Sequence, residues 1–342
     1  MTDTIIQKIG KVGQITLNRP QALNALTYEM IIDIEKALLE WKYDQSVIAV
    51  LVDAEGPRAF CAGGDISDLY KQGQLHNYVF GQKFWADEYR LNALIDGYPK
   101  PYVVFMQGFT MGGGVGISCH GSHRIVGETS RIAMPECGIG LVPDVGGSYL
   151  LTQRSVSLGI YLGTTGSQMD ANDAIFTKFA DYFILEEHWP KIKQQIIQTG
   201  DLDILEDLNE KLSPSFLSQN FDKIEKVFSE KNPLFLMDQM MHFPELAKGL
   251  ERLNKASPLS VLVTLYMLRM PEISQSVKNA LEIEYRYTAR AQELTDFQEG
   301  IRAMVIDKDR NPMWKHSSIE AVTKEEALCL LRPLHGSFDL GL

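Results

Sequence analysis

The sequence predicts an α/β protein, and two observations carry this prediction. Two segments, VIAVLVD at residues 47–53 and YVVFMQG at residues 102–108, are apolar on both faces, which is typical of strands buried between two layers. Helical patterns alternate with these strands in the first part of the chain, and from about residue 186 helical patterns dominate. This order favours an α/β core of repeated turns, followed by a helical region.

The first elements are a hairpin and a helix. Residues 1–20, MTDTIIQKIGKVGQITLNRP, alternate like the two strands of a β-hairpin around the turn at residues 10–13. Thr27 is of a residue type that caps helix N-termini, so we expect a helix to begin after it. The apolar positions of this helix keep near-helical spacing: Met30, Ile31, Ile34, Ala37, Leu38 and Trp41.

The character of the sequence changes near residue 186, where charged and glycine-poor helical segments such as DLDILEDLNEKL begin. A further helix is expected to start at Ser257 and Pro258, and another to run through ALEIEYRYTARAQEL. The predicted division is a core with the functional residues at 1–185, a helical segment at 186–256, and a C-terminal helical region at 257–342 that packs on the core.

Composition excludes some classes of function. The chain has 342 residues, of which 45% are hydrophobic and 23% charged, and its formal net charge is −11. This charge argues against nucleic acid as a partner, but backbone amides at glycine turns can still bind an anionic small ligand. No apolar run is long enough to span a bilayer, so no membrane partner is expected. The N-terminal hairpin pattern leaves no room for a targeting peptide, which favours a cytoplasmic location; an organelle enzyme without its presequence is the alternative.

The cysteines and histidines predict no metal site. The four cysteines show neither CxxC nor zinc spacing, and a chain of this length does not need disulfides to fold: Cys61, Cys119, Cys137 and Cys329. His120 and His123 have a spacing that suits a metal, but two histidines without a third ligand make a weak site.

Two glycine-rich stretches each follow a predicted buried strand. They are RAFCAGGD at residues 58–65 and GFTMGGGVG at residues 108–116. Either stretch alone suits a tight structural turn, but paired N–H donors from separate turns are what a developing oxyanion needs. If Gly113 opens a helix, its N–H has no partner inside the helix and lies at the positive end of the dipole. Neither stretch continues to the GK[ST] of a phosphate-binding loop.

Two acids lie in an otherwise glycine-rich and aliphatic run, MPECGIGLVPDVGG at residues 134–147. Ionised side chains resist leaving water unless they are paired or hydrogen-bonded, so Glu136 and Asp144 call for an explanation. The structural explanations are that Glu136, after Pro135, favours a helix start and that Asp144 organises a turn. The functional explanation is that both acids do chemistry.

Together these motifs resemble those of the crotonase (enoyl-CoA hydratase/isomerase) superfamily. The landmarks run along almost the whole chain: ITLNRPQALNALT, AFCAGGDI, TMGGGVGIS, AMPECGIGLVPDVGGSYL and DFQEGIRAMVIDKDRNPMW. The resemblance implies a crotonase-like spiral of ββα turns with a C-terminal helical region, and coenzyme A bound at the edge of the core. It also implies an acyl-CoA substrate, no cofactor other than the coenzyme A of that substrate, and a homo-oligomer of the trimer type.

The same resemblance implies the residues of the site. The N–H groups of Gly64 and Gly113 would form an oxyanion hole around the thioester carbonyl. Coenzyme A contacts, mostly through the backbone, are implied at Ala25, Asp65 and Ile66, and substrate contacts at Glu88, Gly113, Glu136 and Asp144.

One departure from the hydratases decides the expected reaction. Hydratases carry a glutamate shortly after the triple glycine, and this chain has Gly116 at that position. Glu136 matches the second hydratase glutamate, whereas Asp144 is an acid found in the hydroxyacyl-CoA hydrolases. Glu136 is then either the nucleophile or the general base for water, and the sequence leaves both open. We assign Asp144 to positioning water or the substrate's 3-hydroxyl, and Glu88 to a hydrogen bond with substrate or a site residue.

The expected activity is therefore hydrolysis of short-chain 3-hydroxyacyl-CoA thioesters, above all 3-hydroxyisobutyryl-CoA to 3-hydroxyisobutyrate and CoA in valine breakdown. An enoyl-CoA hydratase or isomerase that uses Glu136 alone is the alternative enzyme. A non-catalytic acyl-CoA-binding protein is the alternative of another class.

Overall fold

The computed structural model describes residues 2–230, 232–334, 336 and 339–342. The strands in this part of the chain are β1 (Thr4–Ile9), β2 (Val12–Leu17), β3 (Ala49–Ala54), β4 (Ala59–Cys61), β5 (Tyr102–Met106), β6 (Phe109–Met111), β7 (His123–Val126), β8 (Arg131–Ala133) and β9 (Tyr182–Phe183).

The α-helices are α1 (Tyr28–Tyr43), α2 (Ser67–Gln74), α3 (Tyr78–Asp96), α4 (Gly113–Ser118), α5 (Gly147–Thr152), α6 (Val156–Thr165), α7 (Ala171–Phe176), α8 (Trp189–Thr199), α9 (Ile204–Asp207), α10 (Phe216–Phe228), α11 (Leu236–Met241), α12 (Ala247–Lys255), α13 (Pro258–Met267), α14 (Val277–Leu294), α15 (Phe297–Ile301) and α16 (Lys324–Cys329). Within the described residues, none of these helices is both long and apolar enough to cross a membrane.

The chain forms two compact units, each assembled from separate stretches of sequence. The first unit contains the residues up to Asp65, Leu91–Ala133 and Gln168–Ser218. The second contains Ile66–Arg90, Met134–Ser167 and the described residues from Gln219 onward. These units are groups of residues that are close in space. The predicted boundaries instead follow the chain, at 1–185, 186–256 and 257–342, and they stay a prediction.

The first unit contains both β-sheets. The larger sheet has the order β1-β2-β3-β5-β7-β9, in which only the hairpin β1–β2 is antiparallel. The smaller sheet has the order β4-β6-β8 and is parallel throughout. Strands β3 and β5 are almost entirely buried, which confirms the prediction from their apolar patterns. Successive β-strands alternate between the two sheets from β3 to β8, and this alternation is the spiral of ββα turns that was predicted.

The predicted helix starts are confirmed in both units. The hydroxyl of Thr27 accepts a hydrogen bond from the N–H of Met30, and the six predicted apolar positions of α1 are all buried. In the second unit, Ser257 caps α13 by accepting from the N–H of Ser260 at 3.1 Å. The longest helix of the C-terminal region is α14, and it packs against α5 within the second unit. This packing brings α14 to the loop that precedes α5.

Candidate active site

The two glycine-rich turns lie together in the first unit because their strands pair. Strand β4 runs parallel to β6, and each turn follows the end of its strand. An added Cβ at Gly114 would be only 2.4 Å from the carbonyl oxygen of Cys61, so a side chain at this position would push the two turns apart. Gly63, with a φ of +115°, would place a Cβ 3.5 Å from the carbonyl oxygen of Met111. Glycine is therefore needed at position 114 for the close approach of the two turns, and at position 63 for the positive φ, since 3.5 Å is an ordinary van der Waals contact.

Each turn leaves a backbone N–H available. Gly113 is the first residue of α4, as predicted, so its N–H has no acceptor inside the helix. In the other turn, the carbonyl of Gly63 accepts from Leu26 and the N–H of Asp65 donates to Leu26. Among the described residues, no acceptor takes the N–H of Gly64. Two donors on adjoining turns fit the expected role of Gly64 and Gly113.

Residues expected to contact coenzyme A are connected by Arg19, which the sequence analysis did not single out. The guanidinium of Arg19 donates to the carbonyl oxygen of Ala25 at 2.6 Å and forms an ion pair of 3.1 Å with Asp65. Ile66 directly precedes α2, and its carbonyl accepts from the N–H of Tyr70. Arg19 thus places a positive charge beside Ala25 and Asp65.

Glu136 begins a short 3₁₀ turn, Glu136–Ile139, in the second unit. Its side chain is only 4% exposed, and its Oε2 has no hydrogen-bond partner among the described residues. Burial raises the pKa of this carboxyl well above its ordinary value of 4.5, and the nearby charge of Asp144 raises the pKa further. A buried carboxyl with a free oxygen and a raised pKa is suited to a role as base or nucleophile.

Asp144 lies on the loop that leads into α5 and is also buried. Its Oδ2 accepts a hydrogen bond of 2.9 Å from the hydroxyl of Tyr89. Tyr89 lies 3.2 Å from the hydroxyl of Thr288, which can donate to it in turn. Burial raises the pKa of Asp144 to about 7, while the bond from Tyr89 acts in the opposite direction. Asp144 can therefore change its charge near neutral pH.

Glu88 precedes Tyr89 on α3 and is 3% exposed. Its Oε1 has no partner among the described residues. Burial, and then the charge of Asp144, raise the pKa of Glu88 well above 4.5. Glu88 and Glu136 therefore each interact electrostatically with Asp144, which supports the expectation that the three acids belong to one site.

The sequence analysis missed a fourth buried acid, Glu284, on α14. Its Oε2 accepts from the N–H of Gly146 at 2.8 Å, and its Oε1 accepts from the N–H of Ser148 at 3.0 Å and from the hydroxyl of Ser148. Burial raises the pKa of Glu284 to about 8, and these hydrogen bonds oppose that rise. The sequence placed this residue on a helix face, and its alternation with apolar neighbours in LEIEY gave no sign of a partner 138 residues away.

The backbone beside Asp144 is strained. Val145 has a φ of +56° and Gly146 a φ of +75°, so two consecutive residues adopt the left-handed region. Glycine tolerates this conformation, but for a β-branched residue it is a true outlier. Strain of this kind is concentrated at functional sites, where the surrounding structure holds it in place.

Cys137 and His123 make ordinary packing contacts. Burial raises the pKa of the Cys137 thiol to about 12, and its sulfur lies 3.3 Å from the hydroxyl of Thr264, so it is not a ready nucleophile. His123 stacks on Tyr182, with 6.1 Å between the ring centroids. In the part of the chain that the structure describes, no three potential ligands are grouped as a metal site.

The acid cluster, defined as Glu88, Glu136, Asp144 and Glu284, contains two carboxyl oxygens that are buried and unpartnered. A buried acceptor without a partner is costly, and natural proteins seldom keep one without a ligand or a catalytic role. The first unit has further buried polar groups without a partner among the described residues, namely the side-chain amide of Asn92 and the hydroxyl of Thr110. Thr110 lies in the second glycine-rich stretch, residues 108–116.

The chain is similar to known proteins over almost its whole length. The profile of the family described as Enoyl-CoA hydratase/isomerase matches residues 12–331. Proteins from Gallus gallus and Xenopus laevis, both named "3-hydroxyisobutyryl-CoA hydrolase, mitochondrial", are 34% and 36% identical to this chain; each match covers 99% of this chain and 91% or 90% of the relative. A solved structure from Rhodobacter sphaeroides, described as an enoyl-CoA hydratase, is 47% identical, with a TM-score of 0.94 over 97% of this chain and 98% of that chain.

These comparisons also correct one expectation. The cytoplasmic location predicted from the sequence is wrong by this measure, because the relatives from Gallus gallus and Xenopus laevis are named as mitochondrial proteins. The physical reason is that a folded enzyme needs the same core and the same site residues in either compartment. The hairpin pattern of residues 1–20, on which the prediction rested, therefore does not distinguish the two compartments.

Proposed function

The chain belongs to the enoyl-CoA hydratase/isomerase family, and on this basis we propose that it hydrolyses short-chain 3-hydroxyacyl-CoA thioesters, with 3-hydroxyisobutyryl-CoA as the main substrate. The names of the relatives from Gallus gallus and Xenopus laevis support this substrate. The reaction would release 3-hydroxyisobutyrate and free CoA, which is a step of valine degradation. It uses no cofactor, since coenzyme A is part of the substrate.

The observation that carries the proposal is the acid cluster. Addition of water across a double bond uses two carboxylates that face the β-carbon, and the position of one hydratase glutamate is occupied here by Gly116, a buried residue of α4 without a side chain. The remaining acids, Glu136 and Asp144, are both buried and interact with each other. One acid to attack or activate water and a second to orient the 3-hydroxyl or the water are what hydrolysis of a hydroxyacyl thioester requires.

In the proposed reaction, the N–H groups of Gly64 and Gly113 stabilise the negative charge that develops on the thioester oxygen. An oxygen nucleophile adds to the carbonyl carbon, the carbon–sulfur bond breaks, and the CoA thiolate leaves and takes up a proton. Asp144 orients water or the 3-hydroxyl of the substrate. Glu88 forms a hydrogen bond with the same substrate or with a site residue. Arg19 keeps Ala25 and Asp65 in place for coenzyme A.

Two routes give Glu136 different tasks. As nucleophile, its carboxylate displaces CoA and forms a mixed anhydride that water then cleaves; as general base, it takes a proton from the water that attacks the carbonyl. Turnover in heavy-oxygen water, followed by mass analysis of the peptide that contains Glu136, tests the anhydride route. Label in that peptide shows an anhydride that water cleaves at the Glu136 carbonyl, whereas an unlabelled peptide excludes this course and leaves general-base catalysis or cleavage at the acyl carbonyl.

The proposed function is tested by release of CoA. Purified protein is mixed with 3-hydroxyisobutyryl-CoA or 3-hydroxypropionyl-CoA, and the free thiol is measured with a chromogenic disulfide. We expect thiol release that is saturable in substrate. If neither substrate yields free CoA, the proposal is wrong.

The solved structure described as an enoyl-CoA hydratase favours a second candidate, hydration or isomerisation by Glu136 alone. Loss of the enoyl-thioester absorbance without thiol release would support this candidate over hydrolysis. A non-catalytic acyl-CoA-binding protein is the third candidate. Calorimetry that detects CoA binding, together with no product from any short acyl-CoA, would support it. A homo-oligomer of the trimer type stays a prediction that light scattering can check.

A further inference from the structure

Glu284 is the acid of the cluster that the proposed mechanism does not use. It lies in the middle of α14, is fully buried, and is unlike its exposed neighbour Glu282 on the same helix. Both of its carboxyl oxygens accept hydrogen bonds, and all three donors belong to Gly146 and Ser148. A carboxyl group can accept on both oxygens at once, whereas an amide would turn an NH₂ group toward one of these donors.

The donors belong to the turn that carries Asp144, which we call the 144–148 turn. In this turn the carbonyl of Asp144 accepts from the N–H of Gly147 at 2.7 Å, and Val145 and Gly146 have positive φ. A β-branched residue in the left-handed region is strained and persists only where surrounding contacts hold it. The bonds to Glu284 come directly after the strained residue, on both sides of Gly147. They join this turn to α14.

Burial of a fourth acid is costly unless the group is hydrogen-bonded, and the three bonds from Gly146 and Ser148 meet that condition for Glu284. Three groups that titrate interact with Glu284: Asp144, Glu136 and Tyr89. Glu284 therefore contacts the backbone on which Asp144 is built and lies within electrostatic range of the proposed reacting acid.

We propose that Glu284 is a positioning residue that holds the 144–148 turn, and so the carboxylate of Asp144, in the geometry that hydrolysis requires. This inference rests on the proposed function, in which Asp144 orients water or the substrate's 3-hydroxyl. Misplacing a reacting group by about 1 Å costs roughly 100-fold in rate. Glu284 acts on the reaction only through Asp144.

The kinetic test compares Glu284→Gln with the matched control Glu282→Gln, an exposed residue on the same helix. We expect Glu284→Gln to lower kcat by about 10- to 100-fold with little change in KM, since the turn and not substrate affinity is disturbed. Glu282→Gln should keep wild-type values. Asp144→Asn should lower kcat as well, and Glu284→Gln added to Asp144→Asn should cost little more. An additive loss in the double variant would show that Glu284 does not act through Asp144.

A second measurement does not depend on activity. Hydrogen exchange followed by mass spectrometry should show faster exchange in the peptide that spans residues 144–148 of Glu284→Gln, with protection elsewhere unchanged. If Glu284→Gln does not fold, Glu284→Asp is compared with the wild type in its place, because it keeps the charge but shortens the side chain by one methylene. Wild-type protection of this peptide in a folded variant would overturn the inference. Absence of CoA release by the wild-type protein would instead overturn the proposed function, and the exchange result would still decide whether Glu284 holds the turn.

Discussion

The hydroxyl of Tyr89 donates a hydrogen bond of 2.9 Å to Oδ2 of Asp144, and both side chains are buried. This bond favours the ionised form of Asp144, whereas burial favours the protonated form and raises its pKa to about 7. Tyr89 directly follows Glu88, so one segment of α3 supplies both an acid of the cluster and the donor that adjusts the charge of another acid.

We expect Tyr89→Phe to move the pH dependence of hydrolysis. Without the donor, the pKa of Asp144 rises further, so the acidic limb of the kcat/KM profile should shift to higher pH and activity at pH 6 should fall more than activity at pH 9. Tyr285→Phe is the matched control, because Tyr285 packs edge-on against the ring of Tyr89 and its hydroxyl donates to the backbone oxygen of Gln82. The Tyr285→Phe profile should coincide with that of the wild type. If the Tyr89→Phe profile coincides with it as well, Tyr89 does not adjust the charge of Asp144 during hydrolysis.

Glu136→Gln should abolish turnover while CoA binding stays measurable. The amide can neither attack the carbonyl nor take a proton from water, and general-base catalysis alone contributes about 10²- to 10⁴-fold. Thiol release measures the loss, and calorimetry with CoA measures the binding, with Glu282→Gln as control. Hydrolysis at the wild-type rate by Glu136→Gln would exclude Glu136 as nucleophile and as base.

The features that could be predicted from the sequence depend on local patterns. Caps at Thr27 and Ser257, the buried strands, the helix start at Gly113 and the acids in MPECGIGLVPDVGG all involve residues that are close along the chain. The crotonase-like architecture followed from the motifs, and the family match over residues 12–331 confirms it.

The features that could not be predicted depend on contacts between distant residues. Glu284 bonds the turn after Asp144 across 138 residues, and Tyr89 bonds Asp144 across 55 residues, so neither partner can be inferred from local spacing. The strain at Val145 was equally hidden, since valine normally favours extended backbone and only the bonds around it explain its positive φ. Such local conflicts are expected at functional sites.

The acid cluster predicts that stability falls as pH rises. Its pKa values are raised by folding, from 3.8 to about 7 for Asp144 and from 4.5 to about 8 for Glu284. Between these limits the folded protein binds more protons than the unfolded chain, so the free energy of unfolding decreases with pH until the folded pKa values are passed. The contribution of these two acids to the free energy of unfolding is fully present below about pH 4 and is lost by about pH 8.

Urea unfolding from pH 5 to pH 8 measures this effect, with Asp144→Asn as the comparison. The variant lacks one titrating group. The rise in the pKa of Asp144 corresponds to roughly 4 kcal/mol of unfolding free energy between the unfolded and the folded pKa, so the stability of the variant should fall less steeply with pH than that of the wild type. The difference between the unfolding free energies of the two proteins cancels the contributions of other titrating groups, such as His123, whose pKa is lowered by burial. Parallel curves would mean that Asp144 does not change its charge in this range.

Gly114→Ala should impair catalysis through the backbone alone. The added methyl group would lie 2.4 Å from the carbonyl oxygen of Cys61, and since this is a backbone atom, the turns that carry Gly64 and Gly113 must separate. Loss of one oxyanion donor costs about 10²- to 10³-fold in kcat, and overpacking costs about 1 to 3 kcal/mol of stability. Gly138→Ala is the matched control, because nothing lies within 4 Å of its added methyl group although it is two residues from Glu136. Thiol release gives the rates and thermal unfolding confirms that both variants fold; a folded Gly114→Ala protein with wild-type kcat would argue against the glycine turns as the donors of the oxyanion hole.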